Sequence, residues 1–175
     1  MKHFSLLLFL PLFPVLLLAG CGGTEDPSGK TETGSVATFR YNMPAGGVII
    51  DAEKGKETWF AYGAVAGTEG IPANGLAKSH RFENGQYLHT LQVNIGLPKD
   101  GFFYEGWLLH PKTGERISTG HLKSIFGDAR HTLSFEGTAD LRAYTSVVIT
   151  LEKDDGNSTP GTEAATGTLK VLKRD

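Results

Sequence analysis

From Val36 onward, apolar and polar residues alternate in short runs broken by glycine, and this period of two predicts strands. Leu91, Val93, Ile95 and Leu97 alternate with Gln92, Asn94 and Gly96. Leu133 and Phe135 alternate with Ser134 and Glu136, while Val147, Ile149 and Leu151 share one face of a later run. Further strands are expected near Val36–Tyr41, Gly47–Asp51, Thr58–Gly63, Ala77–Phe82, Phe102–His110, Ile117–Lys123 and Gly167–Leu172. Beyond the N-terminal region no window carries a helical stripe; Ser124–Arg130 comes nearest and is too short. About eight to ten short strands predict an all-β fold, a single antiparallel β-sandwich of Ig-like or related type over residues 36–175. Leu91, Val93, Ile95, Trp107, Val147, Ile149 and Leu151 are its expected core.

Asn84-Gly85 lies between two such runs and is a strong hairpin signal. A two-residue type I′ turn there, or a four-residue loop, pairs Phe82 with Tyr87 and His80 with His89. A three-residue bulged loop would instead put the two histidines on different faces.

The first twenty residues are of another kind. Lys2 and His3 precede an apolar run, Phe4–Leu18, that contains Pro11 and Pro14 and is shorter than the ~18–20 residues of a spanning helix. It has the form of the apolar region of a secretory signal. Leu18-Ala19-Gly20-Cys21 resembles the lipobox of bacterial lipoproteins. That resemblance implies cleavage before Cys21, a diacylglycerol thioether on its sulfur and, in many bacteria, a further palmitate-type chain on its amine. Several acyl chains suffice for stable anchoring, since each buried methylene contributes ~0.8 kcal/mol. The expected organisation is a signal peptide over 1–20, a lipidated flexible tether over 21–35 and a β-domain over 36–175. The tether reading rests on Gly22–Ser35, which has no hydrophobic residue. The resemblance places the protein in the cell envelope, anchored and extracytoplasmic. Gly22, where an aspartate would retain it at the inner membrane, favours the outer membrane if the cell is Gram-negative.

Composition narrows the function classes. The formal net charge of −2 lacks the basic surplus of a nucleic-acid binder. The single cysteine among 175 residues excludes an internal disulfide framework and a cysteine-based zinc cluster. No Gly-x-Ser-x-Gly elbow, His-Glu-x-x-His motif or phosphate-cradling loop is present, so neither an enzyme nor a cofactor is expected. Two constellations carry chemistry. A cross-strand His80–His89 pair would offer two imidazoles to copper or zinc, although a convincing site needs about four ligands. Glu105 lies in an aromatic strand on the same parity as Phe103 and Trp107. It is expected either at an exposed end or paired with an arginine such as Arg116 or Arg142. With Tyr104 and Trp107 it forms the candidate ligand-binding surface, because strand aromatics and a poised carboxylate can present one.

Phe102-Phe103-Tyr104-Glu105-Gly106-Trp107-Leu108-Leu109, followed by Ser118-Thr119-Gly120, is one of two informative segments. The other is Val147-Val148-Ile149-Thr150-Leu151-Glu152, followed by Asp154-Asp155-Gly156-Asn157 and Pro160-Gly161. Together they resemble the extracytoplasmic C-terminal domain of anti-sigma-K factors, over roughly Gly96–Leu172. The resemblance implies a sandwich used outside the cytoplasm. It does not carry anti-sigma activity, for which the family uses a cytoplasmic helical segment and a membrane-spanning helix. The expected function is a membrane-anchored, non-catalytic binding or sensing module for an envelope protein, polymer or small ligand. Two alternatives stand beside it: a metal-handling lipoprotein using the histidine pair, and an envelope hydrolase with an acid/base pair around Glu105.

Overall fold

The computed structural model describes residues 46–174, so the signal-like segment, Cys21, the tether and the expected Val36–Tyr41 strand lie outside the described residues. Within them the fold is all-β. Ten strands follow in chain order: β1 (Ile50–Asp51), β2 (Gly55–Gly67), β3 (Ala73–Phe82), β4 (Tyr87–Ile95), β5 (Phe102–Leu109), β6 (Arg116–His121), β7 (Arg130–Gly137), β8 (Ser146–Lys153), β9 (Thr162–Thr168) and β10 (Lys170–Val171). All pairings are antiparallel, in the order β6-β5-β8-β9-β2-β3-β4-β7, with β1 and β10 also flanking β2. Lys123 and Thr132 exchange amide–carbonyl bonds of 2.8 and 2.9 Å, and this bridge brings the β6 and β7 ends of the sheet together. The two faces expected of a sandwich are therefore the inner walls of one nearly closed sheet.

Alternation sorts the side chains. Ala61, Val65, Ala77, Leu91, Val93, Ile95, Tyr104, Leu108, Leu133, Val147 and Ile149 point inward and form the core, with Leu151 packed half-buried against it. Trp107 is buried as expected, but on the outside of the sheet. Its indole N–H donates to Thr150 Oγ1 at 2.7 Å. Close strand packing explains one of the glycines. A Cβ at Gly63 would overlap the Thr168 carbonyl, so β2 admits only glycine where β9 gives way to β10.

Two bulges interrupt the alternation. In β2 the register slips between Glu57, opposite Phe82, and Trp59, opposite Arg81. The extra residue, Thr58, donates its hydroxyl to the Arg81 carbonyl at 3.0 Å. In β6 it slips between Gly120, opposite Gly106, and Ser118, opposite Trp107, leaving Thr119 as the extra residue. A bulge turns the residues beyond it onto the other face, and each functional cluster below depends on one.

The β3–β4 hairpin corrects an expectation. Phe82 N–H donates to Gln86 O at 2.9 Å, and Gly85 N–H to Phe82 O at 3.0 Å. The loop is therefore Glu83-Asn84-Gly85, three residues long, with Gly85 at φ 85° and no non-glycine residue at positive φ. A type I′ turn needs Asn84 at positive φ as well, and here the Asn84 side chain instead accepts the Gln86 N–H at 2.9 Å. The register moves by one: Arg81 faces Tyr87, His80 faces Leu88 and Ser79 faces His89. Tyr87 enters the core, whereas Phe82 lies with His80 on the outer face.

Candidate functional site

The register separates the two histidines proposed as metal ligands. His89 points into the core, fully buried, and its Nδ1 shares a 2.8 Å hydrogen bond with Ser79 Oγ. Burial drives its pKa down to about 4, so it is a neutral core imidazole. His80 projects from the opposite face of the sheet. A cross-strand metal pair is thus ruled out geometrically, and no group of three or more His, Cys, Asp or Glu side chains among the described residues is arranged to hold a metal.

His80 belongs instead to a cluster built by the β2 bulge. Glu57 and Phe60, three residues apart, reach the same face because Thr58 is looped out. Glu57 Oε1 lies 2.5 Å from His80 Nδ1, and Oε2 accepts Arg174 Nη1 at 3.0 Å. The carboxylate is about 2% exposed, the guanidinium side chain about 7%. The Arg174 guanidinium lies 3.4 Å from the Phe60 ring centroid, and His80 packs between Phe60 at 4.8 Å and Phe82 at 6.1 Å. Burial holds the His80 pKa below its ordinary value; the Glu57 hydrogen bond opposes that shift but is outweighed. Beside the cluster lies a cavity of about 350 Å³ whose lining includes Glu57, Trp59, Phe60, Val171 and Arg174. Sequence reading missed Glu57 and Arg174. Strict alternation assigns Glu57 to the inside, and nothing local links it to a residue 117 positions away.

The second cluster stands on the outer face of β5 and β6. The Thr119 bulge brings Ser118 and His121, again three residues apart, to the side of the sheet that carries Glu105. The Ser118 hydroxyl donates to Glu105 Oε1, His121 stands directly opposite Glu105, and the Phe103 ring lies 4.1 Å from the His121 ring. Ser118 and His121 are exposed and Glu105 is half-buried. The carboxylate's partner is thus a hydroxyl, while Arg142, one of the arginines considered for it, pairs with Asp140 at 2.7 Å. Round the edge of β6 a groove of about 300 Å³ opens between His121, Lys123, Thr132, Leu133 and Ser134. Of the three candidate ligand-binding residues, Glu105 and Trp107 lie on this face. Tyr104 does not: it is 6% exposed, in the core, edge-on to His131 at 5.5 Å.

The remaining motifs are structural. His110 Nδ1 accepts the Lys112 and Thr113 amides at 3.2 Å, fixing the β5–β6 turn. Asp155 and Asn157 accept amides two residues ahead, at 3.0 Å each, in a strand-exit turn rather than a calcium loop. Cys21 lies outside the described residues. No protein-family model and no curated protein sequence matches this chain.

Proposed function

We propose that the chain is a lipid-anchored extracytoplasmic lipoprotein whose β-domain is a non-catalytic binding or sensing module, with the Glu105 face as its ligand surface. The observation that carries this reading is the openness of that face. A carboxylate, two hydroxyl-bearing strands, an exposed imidazole, a lysine and an aromatic ring line a surface beside a groove, where donors and acceptors can meet a ligand. The Leu18-Ala19-Gly20-Cys21 motif supports the anchor, and the likeness of residues 96–172 to the anti-sigma-K extracytoplasmic domain supports a role in binding outside the cytoplasm. Membrane attachment is through the N-terminal lipid, and the partner is an envelope protein or polymer.

The test is a titration of the isotope-labelled protein with solubilised envelope polysaccharide and peptidoglycan fragments, followed by amide chemical shifts. The expected perturbations map to 103–107, 118–123 and 132–134. Saturating shifts confined to another face would overturn the assignment of this surface. Mass spectrometry of the membrane fraction checks the anchor: an unmodified N-terminus at a residue other than Cys21 would overturn it.

A further inference from the structure

Large apolar side chains are unevenly exposed on this domain. Among the described residues, four of the seven exposed ones, Leu97, Phe102, Ile125 and Phe126, lie at one end of the barrel. The register establishes that end. Ala73 at the start of β3 pairs with Ile95 at the end of β4, Ile95 N–H donates to Ala129 O, and Phe102 at the start of β5 pairs with Lys153 at the end of β8. The loops 68–72, 96–101, 122–129 and 154–161 therefore all emerge together.

At this rim the apolar core continues outward. Leu97 follows the parity of buried Ile95, and Phe102 that of buried Tyr104. Beyond them the β6–β7 loop holds Ile125 and Phe126 at 71% and 70% exposure. Its own hydrogen bonds hold the loop: Ser124 Oγ donates to Asp128 O at 2.6 Å, and Arg130 Nε to Asp128 Oδ2 at 2.8 Å. The Arg130 guanidinium lies 4.4 Å from the Phe126 ring centroid. An apolar tip above an amphipathic collar is the arrangement by which side chains enter the boundary between headgroups and acyl chains. Because Asp128 neutralises Arg130, attraction to anionic lipid is secondary to apolar insertion.

The course of the chain supplies the occupant. Asp51 pairs with Gly55, Ile50 with Lys56, and Ile49 O accepts the Glu57 N–H. Followed toward the N-terminus, the chain thus runs along β2 from its Gly55 end toward its Gly67 end, which is the apolar rim. Between Cys21 and Gly46 lie 24 residues, which span at most ~80 Å at ~3.3 Å each, ample for the domain to turn this rim to the membrane.

We infer that the rim formed by Leu97, Phe102, Ile125 and Phe126 rests in the surface of the bilayer that holds the Cys21 lipid, so that the domain is oriented on the membrane as well as attached to it. This rests on the lipoprotein reading above. The test uses the full-length lipidated protein in vesicles of phosphatidylethanolamine and phosphatidylglycerol. With the Cys21 sulfur blocked by lipid, Ile125→Cys provides a single site for a nitrobenzoxadiazole label, and Thr113→Cys provides one at the far end. Spin-labelled phospholipid should quench the label at 125 at least threefold more than the label at 113, with little change between low and high salt. A label at Gly96→Cys should lose most of its quenching when Ile125 and Phe126 are both changed to Ser. Equal quenching at 125 and 113 in protein that carries the thioether and floats with the vesicles overturns the orientation and leaves the anchor intact. Protein that lacks the thioether overturns the anchor, and this inference with it.

Discussion

The two outer-face clusters are assembled by the same device and end in opposite states. In each, a threonine bulge brings two side chains three residues apart onto one face: Glu57 and Phe60 across Thr58, Ser118 and His121 across Thr119. Each also joins a glutamate to a histidine and an aromatic ring. Around Glu57 the surroundings are closed: Arg174 and His80 both hold the carboxylate, and Phe60 and Phe82 cover the imidazole. Around Glu105 they are open, with a hydroxyl as partner and an exposed imidazole opposite. The chemical groups are therefore no guide to role. What differs is solvation: the sealed carboxylate is committed to the Arg174 guanidinium and the His80 imidazole and fastens the chain beyond β10 to β2, while the open one keeps acceptor capacity for a ligand.

The largest expected effect separates the two carboxylates. Glu57→Ala leaves the Arg174 guanidinium buried without its counter-charge and His80 without its hydrogen-bond partner, and should cost about 3–5 kcal/mol in urea denaturation. Glu105→Ala should cost no more than about 1 kcal/mol, because its partner is a single exposed hydroxyl. Equal losses would erase the distinction between a sealed and an open site.

Acid should act on the β3–β4 hairpin before it acts on the carboxylates. The folded-state pKa of His89, about 4, lies below the ordinary 6.5, so the unfolded chain takes up that proton first. The stability associated with neutral His89 is complete above about pH 6.5 and falls by roughly 3 kcal/mol as pH drops toward 4. His80, depressed by burial on the other face of the same hairpin, works in the same direction. Asp140, drawn down to about 2 by its hydrogen bond with Arg142, loses its contribution only at lower pH. Unfolding midpoints measured from pH 7 to 4.5 should fall steeply in the native protein and less steeply in His89→Gln.

A double-mutant cycle narrows the comparison further. Glu57 and Arg174 should couple by about 1–3 kcal/mol, and Glu105 and Ser118 by about 0.5 kcal/mol, since screening weakens exposed pairs. The smallest stability effect is Ser118→Ala, expected within about 0.5 kcal/mol. Its readout is binding: the shift perturbations at 103–107 and 118–123 should weaken while the fold is unchanged.

Sequence reading succeeded where burial enforces a period of two. Leu91, Val93, Ile95, Val147 and Ile149 lie in the core because a one-residue slip would have turned each run into solvent. It failed where one residue was added without a local signal. Nothing in Glu57-Thr58-Trp59 marks Thr58 as looped out, and Asn84-Gly85 is compatible with loops of two, three or four residues. Each single-residue ambiguity exchanges the two faces, which is how His80 and His89 were paired on paper and are separated in the fold. Glu105 was legible as a strand carboxylate on the parity of Trp107, since β5 itself carries no bulge, but its side of the sheet was not: an expected core position for Trp107 implies the inner face, and both residues stand on the outer one. Its partner Ser118 could not be read, since the Thr119 slip decides which β6 residues share its face.

The bridge that closes the barrel bears on how the protein is kept from associating with itself. A strand edge offers unpaired amides and carbonyls to any neighbouring chain, and a complete barrel has no edge to offer. Here, among the described residues, the last two edges are bridged by two hydrogen bonds between Lys123 and Thr132, and a groove lies alongside. Along β6, Arg116 and His121 set charged or polar side chains next to the unpaired backbone, which discourages a foreign strand from docking. The amides of β6 and β7 beyond that bridge should exchange with solvent deuterium ahead of those in β2 and β3. Fraying of that one contact would bare two adhesive edges at once, making the seam the place from which crowded copies of the chain would begin to aggregate.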